Sequence, residues 1–295
     1  MKKILLTALV ALGTLAGMAQ ELTVGTYNIR NRNSSDSIRG DVWTRRCQVI
    51  CDQINWERPE VFGTQEVLHQ QLLDMLQNLD GYDYIGVGRD DGKEDGEYAA
   101  IFYKKNRVRL LDSGNFWLNE TPDRPALGWD AACIRICTWG RFLDLHSGKE
   151  FLFLNLHMDH EGTVARREAA KLVSRRIQQM AEGRRLTILT GDFNVDQRDE
   201  IYGLFTQSGL LKDCYEATRL RFAESGTFNS FNSSEHTIYR IDHIFVTATA
   251  NVDAYAVRTD SYWTKNADGT TTRRTPSDHY PVFARVSFGN PEKKK

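Results

Sequence analysis

Apolar and polar positions alternate along the chain with two distinct periods. LTVGTYNIR (22–30) is rich in β-branched residues and predicts a strand that places Asn28 near its end. Residues 43–56 follow helical spacing instead, with Cys47 and Cys51 at i and i+4 beside Ile50 and Ile54, and Pro59 stops the pattern. VFGTQE (61–66) predicts a short buried strand ending on Glu66. Residues 68–79 return to helical spacing, with Leu72, Leu73, Leu76 and Leu79 on one side.

YDYIGVG predicts a strand, and RDDGKEDGEY a charged loop. The loop has the outline of a calcium site, but Lys93 takes a ligand position and Phe102 stands where the closing Glu belongs, so it reads as a solvated turn. YAAIFYKK, RVRLLD, ACIRICTWGRFLDL and FLFLNLH predict successive strands. Residues 164–180 predict a helix with an inner stripe of Ala165, Ala169, Leu172, Val173, Ile177 and Met180. RLTILT is a strand that delivers Asp192 and Asn194. A short helix over 201–208 follows, then strands over 227–231, 239–246, 252–258 and 281–288. No fixed-period repeat and no Pro/Gly/Ser-rich linker divides the chain, so residues 20–295 are expected to form one domain. Both helical blocks need a sheet to cover, which implies two sheets packed face to face with helices outside.

Residues 1–19 stand apart. Two lysines, an apolar run from Ile4, and Gly17 and Ala19 match a secretory signal peptide with cleavage after Ala19, so an exported, periplasmic or secreted protein is expected, with no stable membrane insertion afterwards. The apolar run is too short for a membrane anchor. The formal net charge is −1 and falls further without Lys2 and Lys3, which gives no support for strong sequence-independent nucleic-acid binding and leaves a local basic surface open. Five cysteines leave at least one free thiol in such a protein; Cys47 and Cys51 read as small buried apolar residues, and no CxxC pair points to zinc. A monomer is expected.

The chemistry is concentrated where apolar strand patterns end. Asn28, Glu66, His157 with Asp159, Asp192 with Asn194, Asp242, and Asp278 with His279 all occupy such positions, where a rigid sheet presents side chains to a cleft. Singly, each has a local explanation: Asp192 as a cap, Asn28 in an Asx turn, Glu66 in the first turn of a helix, His157 in the core. Asp242 lies inside an apolar strand and needs a partner, for which a histidine is the natural choice. Together they supply three or four carboxylates, two amides and two or three histidines, with no Ser or Cys set up as a nucleophile. Oxygen-rich donors select Mg2+ or Mn2+ over zinc. Such an ion neutralises phosphate, a further carboxylate activates water, and an imidazolium stabilises developing charge. These residues point to metal-assisted hydrolysis of a phosphate ester.

The ordered series TYNIR, TQE, NLH, GDFN, IDHIFV and SDHYPV resembles the endonuclease/exonuclease/phosphatase superfamily over 22–288, with the stretch around LNLHMDHEGTVARREAAKL nearest to its exonuclease-like deadenylase/nocturnin branch. The resemblance implies a four-layer α/β/β/α sandwich of two packed mixed β-sheets with helices on the outer faces. It implies Glu66, Asp278 and Asn28 at the metal, Asp192 acting on the attacking water, Asn194 positioning phosphate, and His279 stabilising the transition state with Asp242 orienting it. His157 matches a second motif histidine in NxH form, which adds Asn155 as a substrate-binding candidate. Arg166 and Arg167 are offered by their position after this motif, since guanidinium suits bidentate contact with phosphate oxygens. Trp117, Trp129, Tyr262 and Trp263 are candidates for stacking on a base or sugar.

The substrate is less legible. The expectation from sequence is an exported phosphodiesterase or nuclease acting on RNA or DNA. The alternatives are a phosphomonoesterase on inositol polyphosphates or another small or lipid phosphoester, and an inactive binding module on the same fold.

Overall fold

The structure, a computed structural model, describes residues 21–181, 186–234 and 236–289. The proposed signal segment and the basic PEKKK tail lie outside the described residues.

In chain order the elements are β1 (Glu21–Asn28), α1 (Ser34–Arg39), α2 (Trp43–Glu57), β2 (Val61–Gln65), α3 (His69–Asn78), β3 (Tyr82–Ile85), β4 (Ile101–Lys104), β5 (Val108–Trp117), β6 (Ile136–Asp144), β7 (Glu150–His157), α4 (Thr163–Met180), β8 (Leu186–Asp192), α5 (Glu200–Thr206), β9 (Leu211–Asp213), α6 (Cys214–Ala217), β10 (Arg221–Phe222), β11 (Asp242–Thr247), β12 (Asn251–Val257), β13 (Tyr262–Lys265), β14 (Thr271–Arg274) and β15 (Val282–Ser287). One sheet runs β10-β12-β15-β1-β2-β4-β3 and the other β5-β6-β7-β8-β11-β9, with β13 and β14 forming a separate hairpin. Each large sheet is mixed and has one central parallel pair, β1 with β2 and β7 with β8. Helices cross over between the members of each pair, as parallel strands require.

Three apolar layers hold the four-layer sandwich together. The cluster containing Leu22, Val24, Val61, Phe151, Phe153, Leu186, Ile188 and Ile244 fills the space between the sheets. Tyr27, Phe62 and Phe102 meet α2 and α3 on one outer face, and Leu154, Leu189 and Phe245 meet α4 and α5 on the other. The expected stripes on α2 and α4 are the buried ones, with Met180 half-buried at the margin. Cys47 and Cys51 are buried among the apolar residues of α2, and all five cysteines are free thiols. Among the described residues, no helix is long and apolar enough to cross a membrane.

Strand alternation decides what reaches the site. On the inner face of β1 the sequence reads Leu22, Val24, Thr26, Asn28; on β8, Leu186, Ile188, Thr190, Asp192; on β7, Phe151, Phe153, Asn155, His157. Each inner face therefore passes from apolar to small polar to charged, and all three do so at the carboxyl ends of the parallel strands.

The middle, polar tier is built around Asn155. Asn155 is fully buried, and its Nδ2 donates to the carbonyls of Thr64 (2.9 Å) and Ala100 (3.0 Å) on the facing sheet. Its Oδ1 accepts from Gln65 Nε2 (2.7 Å) and Thr190 Oγ1 (3.0 Å). Gly63 leaves room for this strut, since a Cβ there would meet Asn155 Oδ1 at 2.1 Å. Asn155 is therefore a bridge between sheets and not the substrate-binding residue expected from its place in the NxH motif.

Two local expectations also differ. Residues 227–231 do not form a strand: Ser230 and Phe231 adopt positive φ, and pairing is limited to one bridge, Phe228 to His279. The β13–β14 hairpin, α1, α6 and the short strands β9 and β10 were not evident from periodicity, because elements of two to six residues offer too few repeats to show one.

Asn155→Ala should cost about 2–4 kcal/mol, since it strips a buried network of donors and acceptors at once. Urea unfolding measures this, and a loss below about 0.5 kcal/mol would show that the inter-sheet bridge carries no weight.

Candidate active site

At the polar end of the sandwich, a cavity of about 470 Å³ opens between the sheets. Glu66, His157, Asp192, Asn194, Asp278 and His279 line it, while Asn28 and Asp242 lie beneath, fully buried. Asp192 and Asp242 are register partners on antiparallel β8 and β11, so two carboxylates face each other directly. This pairing is unfavourable unless a cation lies between them. His279 supplies it: its Nδ1 lies 2.9 Å from Asp242 Oδ2, and its Nε2 lies 3.7 Å from Asp192 Oδ2. Burial pulls the imidazole pKa down, but Asp242 and Asp192 more than reverse this and push it up to about 10. Burial and Asp242 in turn push Asp192 up to about 7, against the opposing pull of His279.

Asn28 ties the two sheets at this level. Its Nδ2 donates to Glu66 Oε1 and Asp192 Oδ2, both at 3.0 Å, while its Oδ1 accepts from the backbone N–H of Arg30. The amide thus presents nitrogen to the carboxylates, which makes it their bridge and not the oxygen ligand expected for a metal. His157 lies 3.5 Å from Asp192 Oδ2. Burial, with Arg135 and Arg89 nearby, holds its pKa well below the usual imidazole value, so the contact is that of a neutral ring and not an ion pair. Asn194 receives its geometry from the loop: its N–H donates to Asp192 Oδ1 (3.0 Å) and its Nδ2 to the carbonyl of Met158 (2.9 Å).

Glu66 and Asp278 form the acidic pair that fits a hard cation. Burial raises the pKa of Asp278 and the charge of Glu66 adds to the rise, against the lowering pull of His279, Arg30 and Arg46. The Arg30 guanidinium stands 3.5 Å from Asp278 Oδ2 and 3.8 Å from Glu66 Oε2. Two carboxylates with an all-oxygen donor set and a positive charge already drawn to both make a credible seat for Mg2+ or Mn2+. The trio Asp192, Asp242 and His279 also has its ligand atoms close together. It fits a metal poorly, because a His279 held protonated offers no lone pair. The same holds for Cys133, Asp159 and His160: both Asp159 oxygens are consumed by backbone N–H groups of 132, 133, 161 and 162 and by Arg135 Nε.

Backbone strain and one buried cation fix the loops that carry these groups. Arg30, Glu66 and Asn194 adopt left-handed φ of 59°, 60° and 51°, a conformation that costs non-glycine residues about 1–3 kcal/mol each. Arg46 is fully buried and donates to the carbonyls of Ile29 (2.7 Å), Arg30 (3.2 Å), Asp41 (3.0 Å) and Pro276 (3.2 Å). It clamps the end of β1 to the segment leading into Asp278, and Ser277 Oγ reinforces the join by donating to the carbonyl of Asn28 (2.7 Å).

Arg166 and Arg167 do not reach the cleft. Arg166 Nη1 donates to the carbonyl of Asp159 (2.9 Å), and Arg167 pairs with Glu200 on the outside of α5. Trp117, Trp129, Tyr262 and Trp263 also lie elsewhere; Phe228, edge-on to the His279 ring with centroids 5.0 Å apart, is the aromatic at the cleft. The cations there are Arg30, Arg89 and Arg135, all from loops. Periodicity carries no signal for loop residues, and only the polar character of those segments marked them.

A two-sheet sandwich with a charged, strand-end cleft of carboxylates, amides and imidazoles defines a phosphoester-hydrolysing enzyme class. The chain belongs to the Endonuclease/Exonuclease/phosphatase family, whose pattern it matches over residues 25–279. It is similar to an endonuclease/exonuclease/phosphatase family protein from Bacteroides thetaiotaomicron, at 48% identity and a TM-score of 0.90, over 92% of this chain and 99% of that one. It is also similar to a mannosyl-6-phosphatase from Bacteroides thetaiotaomicron VPI-5482, at 49% identity and a TM-score of 0.88, over 90% of this chain and 100% of that one. The human nocturnin catalytic domain with bound sulfate shares the fold alone, at 19% identity and a TM-score of 0.66, over 91% and 93% of the two chains. No match to a curated protein was found.

The two shifted groups set a pH window. In the roles expected from sequence, Asp192 would accept a proton only after losing its own, and His279 would stabilise negative charge only while protonated. The rate kcat/KM should therefore rise with pH through about 7 and fall through about 10. Asp242→Asn, which removes the charge holding the imidazole proton, should bring the alkaline limb down by about one unit or more. An alkaline limb that stays in place in this variant would show that His279 does not set it.

Proposed function

We propose that the protein is a divalent-metal-dependent phosphomonoesterase acting on a small hydroxylated molecule. The observation that carries this reading is the shape and charge of the cleft: an open cavity with Arg30 and Arg135 around one acidic end, on a chain of net charge −1. A phosphate dianion attached to a sugar-sized group suits this space. Of the described cations at the cleft, Arg135 is nearly buried and held by Asp159 at 3.3 Å, so it recognises locally and does not form part of an exposed basic track. The 49% identity to a mannosyl-6-phosphatase supports the same reading, and on these grounds we favour a monoester over the phosphodiester expected from sequence.

Glu66 and Asp278 would hold the ion, which when bound neutralises phosphate oxygens and polarises the phosphorus. The chain's own groups do the rest. Asp192 takes a proton from the attacking water as the new P–O bond forms and the ester P–O bond breaks, and the leaving oxygen takes a proton from solvent in the open cleft. His279, charged and oriented by Asp242, stabilises the negative charge that develops. Asn28 keeps Glu66 and Asp192 in register, and one N–H of Asn194 Nδ2 remains available for a phosphate oxygen beyond its bond to Met158. Neutral His157 offers a further hydrogen bond without adding charge.

One observation favours a phosphodiester: Phe228 is partly exposed at the rim, where a base would stack. The readings separate by substrate. With Mg2+ or Mn2+, the purified enzyme should release phosphate from mannose 6-phosphate and p-nitrophenyl phosphate, stop in chelator, and lose about 10³-fold or more in kcat as Asp192→Ala. Faster turnover of bis(p-nitrophenyl) phosphate or of an oligonucleotide would overturn the monoesterase reading. We also propose export directed by residues 1–19, supported by Lys2, Lys3 and the apolar run; the amino-terminal residue of protein recovered outside the cytoplasm should be Gln20.

A further inference from the structure

One wall of the cleft takes no part in the hydrolysis derived above. The segment 86–97 has the composition of a solvated turn, yet it turns Arg89 and Glu97 into the cleft. Glu97 is fixed at both oxygens, Oε1 accepting from Asn31 Nδ2 at 2.9 Å and Oε2 from Arg89 Nη1 at 2.5 Å. Arg89 is itself anchored, because Trp117 Nε1 donates to its carbonyl at 2.7 Å. The backbone N–H of Asn31 donates to Glu66 Oε2 at 3.2 Å, so the single residue Asn31 spans from Glu97 to the acidic pair that would seat the cation.

A carboxylate is an unexpected choice in a cleft that receives phosphate. It repels the dianion and occupies the guanidinium of Arg89, which would otherwise help bind it. What a carboxylate does well is accept hydrogen bonds. Each of its oxygens has about two lone-pair directions, and each is engaged by one protein donor, so both can take another. Two adjacent acceptors held rigidly match the O–H donors of a polyol. They also penalise any second phosphate placed against them.

We propose that Glu97, clamped between Arg89 and Asn31, is the specificity-determining residue of the reaction: it accepts hydroxyl donors from a polyol leaving group and excludes a leaving group that carries another phosphate. This rests on the monoesterase reading and deepens it. Discrimination arises because a site built for hydroxyl donors leaves its acceptors unpaired when the hydroxyls are missing.

The test compares kcat/KM of the wild-type enzyme, Glu97→Gln and Glu97→Ala on mannose 6-phosphate, p-nitrophenyl phosphate and fructose 1,6-bisphosphate. In Glu97→Ala the preference for mannose 6-phosphate over p-nitrophenyl phosphate should fall by about tenfold or more, mainly through KM. Glu97→Gln keeps one acceptor and drops the charge, so it should retain part of the sugar preference while admitting the bisphosphate. This variant also preserves a hydrogen-bonding side chain between Asn31 and Arg89, which guards against loop collapse in the alanine variant. Unchanged substrate ratios in both variants would overturn the role of Glu97 and leave the monoesterase reading standing. A wild-type enzyme that cleaves no monoester overturns both.

Discussion

The structure depends on a transition inside the space between its two sheets. One end of that space is apolar and dry, and the other must hold Asp192, Asp242, Asp278 and His279 at close range with little exposure. Charges cannot adjoin a hydrophobic core directly, because each would lose its hydration without gaining a partner. Thr26, Gln65, Asn155 and Thr190 form the intermediate tier. They hydrogen-bond to one another and to backbone carbonyls across the gap. This tier completes the seal of the core and gives the charged tier a rigid polar floor. The cost of burying these groups is offset where the network closes, as it does around Asn155, while Gln65 Oε1 stays without a partner.

Above that floor the problem is repulsion. Asp192 and Asp242 face each other across β8 and β11, and Glu66 and Asp278 form a second acidic pair nearby. The fold answers with groups of fixed position instead of solvent. His279 neutralises the first pair, Arg30 stands over the second, and Asn28 joins the two with its amide nitrogen. Arg46 stabilises the arrangement from behind, through carbonyls and the Trp43 and Phe231 rings; among the described residues no carboxylate pairs with it directly, so its charge favours the buried carboxylates nearby. Preorganised charge of this sort is what a phosphoryl-transfer site needs, since little has to reorganise when charge moves.

Much of this was legible in sequence because strand alternation has a strict period. Asn28, Asp192 and His157 share parity with apolar residues of known direction, so their inward orientation followed from Leu22, Leu186 and Phe151. The NxH motif misled at Asn155: parity gives that residue's face but not its depth, and a residue two positions short of the strand end lies in the floor. Arg166 and Arg167 failed for another reason. A helix start next to a motif can turn its side chains to the neighbouring helix, and Glu200 captures one of them. Arg89 and Glu97 had no period to reveal them, and Arg30 and Arg135, inside stretches that read as strands, lie just outside β1 and β6. Loop positions become meaningful only once the strands on either side have been placed in space.

That contrast has a functional consequence. The groups proposed to react reside at strand ends or in the short segments beside them, where a displacement would disturb two sheets and the tier beneath them. The groups at the cleft that differ in character from this constellation, Arg89, Glu97, Arg135 and His160, reside on loops, whose sequence can change without moving Asp192 or His279. On the proposed reading, hydrolytic chemistry and choice of substrate are held by different segments, which meet at contacts such as Asn31, touching Glu66 through its backbone and Glu97 through its side chain. A fold divided in this way can keep one reaction while its substrates change, so likeness of the sandwich alone says little about the leaving group. The informative residues for substrate are those in the loop wall, and here Glu97 takes up the guanidinium of Arg89, a cation that a polyphosphate or a nucleic-acid backbone would otherwise use.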